Sequence, residues 1–268
     1  MISVSALSDA LAKCRADNRA ALIGYLPVGY PSVELSIEAM RALVDGGCDI
    51  VEVGIPYSDP VMDGPTIQRA TEPAVRAGVS VLDALRAVRA VADAGAVAVT
   101  MGYWNQVDRF GVARYATELA AAGGSGAITP DLVPDEAEEW IAATDAAGLD
   151  RIFLVAPSST DARIVSTTAA SRGFVYASAV MGVTGARTSV DDAAATLVAR
   201  VRSLAPDIPV CVGLGVSTGA QAAQIGAFAD GVIVGSALVK CLLDSPDAAG
   251  VAAVRALSAE LAEGVRRR

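Results

Sequence analysis

Two acids stand close together in the stretch from Val51 to Gln68, VEVGIPYSDPVMDGPTIQ, and their types and spacing suit proton transfer. Glu52 lies inside an apolar strand-like run, Ile50-Val51-Glu52-Val53-Gly54-Ile55, and Asp63 lies in the Pro/Asp/Gly-rich loop that follows. Strand side chains alternate, so Ile50, Glu52 and Gly54 share one face and Val51, Val53 and Ile55 the other. A carboxylate in such a run is costly unless it is paired or left neutral, and desolvation raises its pKa. A raised acid near a second acid on a loop suits general acid–base chemistry. The same residues also fit a structural role, a buried glutamate satisfied by an arginine followed by an Asp-Gly turn.

Two absences narrow the chemistry. The chain has no histidine, which removes the commonest general base and the commonest zinc ligand. Its only lysines, Lys13 and Lys240, sit in helix-like contexts near the chain ends, so a Schiff-base lysine at a strand end is not expected. Carboxylates, hydroxyls and backbone dipoles remain.

Three Gly-rich segments add an anion site: Gly182-Val183-Thr184-Gly185, Gly213-Leu214-Gly215 and Gly235-Ser236. Glycines let backbone N–H groups approach an anion closely, and a helix starting at Ser236 adds its positive end. Each glycine alone fits an ordinary turn. Together, at consecutive strand ends, they read as a phosphate cradle. No Walker-type lysine motif accompanies them, which argues against a nucleoside triphosphate. Tyr25, Met101, Tyr103, Ile128 and Val155, also near strand ends, could line a pocket for a flat apolar ring or belong to the core.

The elements that must position these groups alternate along the chain. Eight β-rich runs are expected, at Ala21–Leu26, Ile50–Gly54, Val97–Met101, Gly126–Thr129, Arg151–Val155, Phe174–Ala177, Pro209–Val212 and Gly231–Val234. Ala-rich helical patterns separate them, for example Val190, Ala193, Ala194, Leu197, Val201 and Leu204, and Ala248–Val265 reads as a final outer helix. This βα rhythm, with no linker-like break, predicts a single (β/α)8 barrel domain over residues 1–268 with an extra N-terminal helix. A doubly wound open sheet is the alternative. Barrel sites lie at the C-terminal strand ends, where Glu52 and Asp63 fall.

Composition agrees with one large core, at 268 residues and 53% hydrophobic. The net charge of −9 argues against a nucleic-acid partner. No apolar run reaches the roughly 18 residues needed to span a bilayer, and the opening residues read as an amphipathic helix rather than a secretory leader. Cys14, Cys48, Cys211 and Cys241 are scattered without CxxC spacing, which points to a reducing cytoplasm.

With these residues in hand, the chain resembles the tryptophan synthase α-subunit family. GIPYSDPVMDGPTIQ looks like that family's signature. Further matches follow in order: Tyr103 and Asn105, Pro130-Asp131-Leu132, Ala156-Pro157, Tyr176-Ala-Ser178, GVTGA at 182–186, GLGVS at 213–217 and DGVIVGSALV at 230–239. The resemblance implies retro-aldol cleavage of indole-3-glycerol phosphate to indole and glyceraldehyde 3-phosphate, with no cofactor in this chain. It also implies a β-subunit partner in an α2β2 heterotetramer, whose pyridoxal phosphate joins indole to serine. Glu52 then protonates the indole ring and later takes the hydroxyl proton, Asp63 accepts the indole N–H, and Tyr176 lies near both glutamate and glycerol. Gly185, Gly215, Gly235 and Ser236 match phosphate-binding positions, and Tyr25 and Met101 match indole-pocket positions.

The residue inventory fits that chemistry, since an indole ring that becomes cationic on protonation is its own electron sink. Two positions depart from the family. Gln106 stands where many relatives have proline, and Gly102 is smaller than the usual residue, both in a loop that approaches the β partner in the family. A free-standing lyase and an inactive barrel that activates the β subunit are the alternatives.

Overall fold

The Val/Ile-rich runs pair side by side, all parallel, in one ring. In the computed structural model, which describes residues 5–178 and 187–267, the strands are β1 (Ala21–Pro27), β2 (Ile50–Gly54), β3 (Val97–Met101), β4 (Gly126–Ile128), β5 (Asp150–Ile152), β6 (Leu154–Val155), β7 (Val175–Ser178), β8 (Val210–Gly213) and β9 (Gly231–Val234). Their order in the sheet is β5-β4-β3-β2-β1-β9-β8-β7-β6. The two ends of that order, β5 and β6, are separated only by Phe153, so the ring closes through one residue. The run expected as a single fifth strand is therefore two pieces. Its lower part pairs with β4 (Gly126 opposite Asp150) and its upper part with β7 (Leu154 opposite Tyr176), as the stagger of a tilted barrel requires.

Helices carry the chain back between strands: α2 (Val33–Asp45) after β1, α3 (Pro65–Arg76) and α4 (Val81–Asp93) after β2, and α5 (Trp104–Phe110) and α6 (Val112–Ala121) after β3. Then come α7 (Glu138–Ala147), α8 (Asp161–Ala170), α9 (Arg187–Leu204) and α10 (Gly219–Gly226), with α11 (Ser236–Asp244) and α12 (Ala248–Val265) closing the circuit. The eight-unit barrel expected from the βα rhythm is present, and α12 has the expected bounds. Among the described residues, no helix is long and apolar enough to cross a membrane.

Alternation along the strands sorts two apolar layers. Val51, Val53 and Ile55 face outward into the core shared with the helices, while Ile50 joins Ile23, Val99, Ile128, Ile152 and Phe174 inside the barrel. The N-terminal helix α1 (Ala6–Ala16) closes the bottom of that interior with Leu7, Leu11 and Cys14. Ser5 caps α1 by accepting the Ser8 N–H at 3.1 Å, and its hydroxyl bonds the buried Asp150 carboxylate, which ties the plug to β5. With the lower interior filled, the open end is the upper one, at the C-terminal ends of the strands.

Candidate active site

Glu52 stands on the inner face of β2, one step above Ile50 and level with Tyr25 of β1 and Val99 of β3. It is fully buried, and among the described residues neither carboxyl oxygen has a hydrogen-bond partner. Among the described residues, no arginine pairs with it as a structural glutamate would need. Burial pushes the Glu52 carboxyl up to about 8, so it carries its proton at neutral pH.

Asp63 arrives from the loop after β2, just ahead of Gly64 and Pro65, which cap and open α3. The Tyr103 hydroxyl accepts the Met62 N–H at 2.9 Å and hydrogen-bonds the Asp63 carboxylate. Burial raises the Asp63 pKa and the Tyr103 bond opposes the rise.

These acids border a cavity of about 400 Å³ at the top of the barrel. Tyr25, Met101 and Tyr176 form walls beside Glu52, and Gly215, Gly235 and Ser236 border the side formed by β8 and β9. Two glycines admit the tyrosines. A Cβ at Gly54 would lie 2.5 Å from Tyr25 Oη, and one at Gly213 would lie 2.4 Å from Tyr176 Oη. Burial, with the neighbouring Asp63 and Glu52 charges, holds the Tyr25 phenol well above its ordinary pKa; burial and Glu52 do the same for Tyr176. Both phenols therefore stay neutral.

Of the residues expected at the site, Glu52, Asp63, Tyr25, Met101, Tyr176, Gly215, Gly235 and Ser236 border one cavity. Three expected indole-pocket residues do not border it. Ile128 faces inward and is paired with Met101 of the cavity wall, but does not itself border the cavity, and Val155 faces outward into the helical layer. Tyr103 stacks on Tyr57 with ring centroids 4.9 Å apart and reaches the site only through its hydroxyl. Gly185, with the rest of its Gly-rich segment, lies outside the described residues.

Sequence reasoning passed over Ser178 and Ile233, which border the cavity although alternation points to both. Ser178 shares a face with Tyr176, and Ile233 with Gly235. Val61, Met62 and Leu214 also border it, but loops carry no such period.

Comparison with known proteins shows the family and the fold. The family model described as tryptophan synthase alpha chain matches residues 11–266. The tryptophan synthase alpha chain of Mycobacterium marinum is 63% identical over 264 residues, covering 98% of this chain and 96% of the relative. A crystal structure of tryptophan synthase from M. tuberculosis, in an open form with BRD0059 bound, aligns at a TM-score of 0.90 and 59% identity, over 98% of this chain and 100% of that one. The alpha subunit of Legionella pneumophila aligns at 0.88 with 30% identity, over 98% and 99% of the two chains. The chain belongs to the tryptophan synthase alpha chain family.

Proposed function

We propose that Glu52 and Asp63 are the acid–base pair with which this chain cleaves indole-3-glycerol phosphate to indole and glyceraldehyde 3-phosphate. The observation that carries this reading is the buried Glu52 carboxyl, without a hydrogen-bond partner among the described residues, which shares one cavity with Asp63.

The indole ring must gain a proton at the carbon bearing the glycerol chain before the carbon–carbon bond can break. Glu52, neutral near pH 7, delivers that proton, and the ring becomes an iminium-like cation. The carboxylate left on Glu52 then removes the proton of the adjacent side-chain hydroxyl. That oxygen becomes the aldehyde, and the bonding pair of the broken carbon–carbon bond flows into the ring and restores neutral indole. Asp63 accepts the ring N–H and stabilises the positive charge while it exists. Tyr25 and Met101 flank the ring, and Tyr176 stands beside Glu52 near the glycerol. Backbone N–H groups at Gly215, Gly235 and Ser236, with the N-terminus of α11, hold the phosphate. Gly185 has the same role by motif match.

The partner is a tryptophan synthase β subunit, in an α2β2 assembly, and the pyridoxal phosphate belongs to that subunit. We take residues 1–268 as one barrel domain acting in the cytoplasm. Indole release from indole-3-glycerol phosphate, with and without the β subunit, tests this reading. Slow release alone that rises sharply with β supports it, and no release under either condition rejects it.

A further inference from the structure

The loop that carries Asp63 is held at both ends by one short segment, Tyr103 to Gln106, at the start of α5. At the Asp63 end, the Tyr103 hydroxyl engages the Met62 N–H and the Asp63 carboxylate. Further back, Tyr57 stacks on Tyr103, and its hydroxyl accepts a hydrogen bond from Asn105 Nδ2 at 2.9 Å. At the root of the loop, Gln106 Nε2 donates to the Pro56 carbonyl at 2.8 Å, while Gln106 Oε1 accepts the Tyr103 N–H at 3.3 Å. The Gln106 amide is thus bonded at once to the loop after β2 and to the backbone of Tyr103.

We infer that Gln106 is a positioning residue for the cleavage reaction, clamping the root of the Asp63 loop to the N-terminus of α5 so that the Tyr103 hydroxyl is set against Asp63. This rests on the reading of Asp63 as the residue that accepts the indole N–H. A glutamine serves because one planar amide offers a donor and an acceptor together. An apolar side chain leaves both the Pro56 carbonyl and the Tyr103 N–H without that partner, and a proline can satisfy neither. Gln106 does not border the cavity, so it acts through Tyr103.

The titratable groups around Asp63 are Tyr103 beside it, Tyr25 on β1, and Glu52 and Tyr176 on the cavity wall. Among them the Tyr103 hydrogen bond favours the ionised carboxylate. Loosening the clamp weakens that bond, raises the Asp63 pKa further, and moves the acidic limb of the kcat profile to higher pH.

The test compares Gln106→Met and Gln106→Glu with the parent chain, at saturating β subunit so that weaker association is not read as slower chemistry. Gln106→Met is expected to lower kcat about tenfold with KM within about twofold, and to raise the acidic limb by about half a pH unit or more. Gln106→Glu keeps an acceptor for the Tyr103 N–H and loses the donor to Pro56, so its kcat should fall between the two. The double variant Tyr103→Phe/Gln106→Met should be no slower than Tyr103→Phe alone, because both act on one contact. Parent-like kcat in Gln106→Met, a loss with an unmoved acidic limb, or additive losses with Tyr103→Phe would each overturn the clamp. Asp63→Asn, measured in parallel, separates the two claims. Parent-like turnover there overturns the Asp63 assignment, whereas an inactive Asp63→Asn beside a parent-like Gln106→Met removes only the clamp.

Discussion

Tyr25 of β1 and Glu52 of β2 face each other in parallel register, and the Tyr25 hydroxyl lies over Gly54, where a Cβ would come within 2.5 Å of it. The aromatic wall of the cavity and the proton donor are thus placed by one strand pair, and a missing side chain on β2 leaves room for the ring.

Gly54→Ala should therefore disturb the site as well as the fold. The added carbon would also lie 2.6 Å from Tyr25 Cε2, so the ring must shift toward the cavity. The expected cost is about 1–3 kcal/mol of stability, with kcat down about tenfold or more. Thermal unfolding and steady-state indole release check both. A variant with the parent's Tm and kcat would mean the ring yields without consequence.

The pH dependence of kcat/KM should show a basic limb near 8. Glu52 must carry its proton to start the reaction, and burial pushes its carboxyl up to about 8 in the free chain, so activity is lost as pH rises through that value. A profile of kcat/KM flat from pH 7 to beyond about 9 would remove Glu52 as the proton donor.

Stability should follow the same carboxyl with a definite sign. The buried Glu52 binds its proton more tightly in the folded chain than in the unfolded one, from 4.5 up to about 8. Its contribution is therefore fully present below about 4.5 and declines as pH rises toward 8. Glu52→Gln abolishes the titration, so it should gain on the order of 2–3 kcal/mol at pH 7 and nothing at pH 4. Denaturant unfolding at the two pH values decides; a variant less stable than the parent at pH 7 contradicts this account.

Ser236→Asp tests the phosphate side. The substitution sets a negative charge at the N-terminus of α11, against the substrate's own charge. KM should rise about a hundredfold while kcat stays within several-fold. Competitive inhibition by inorganic phosphate should vanish with it. An unchanged KM would place the phosphate elsewhere.

Much of this site was legible in the residues because it obeys short-range rules. Alternation put Glu52 on the face of Ile50 and Val53 on the other, which the structure resolves as inside and outside the barrel, and the glycines at strand ends marked the side of the cavity formed by β8 and β9. The same rule was not carried far enough at Ser178 and Ile233. Alternation gives the face but not the lining: Ile128 faces inward and is paired with Met101, yet it does not border the cavity. The break at Phe153 was also illegible, since Arg151–Val155 is an unbroken β-forming run and the change of partner depends on barrel stagger. Tyr103 illustrates a third limit. Its role depends on Tyr57 and Met62, which a loop brings to it from far along the chain.

The measurement that tests the central claim most directly is indole release by Glu52→Gln at saturating indole-3-glycerol phosphate and β subunit. The account predicts kcat at least about a thousandfold below the parent, with KM within several-fold, because the proton donor is lost while the phosphate and ring contacts remain. A kcat within about tenfold of the parent would contradict it, and Glu52 would then be a buried carboxyl with no part in the chemistry.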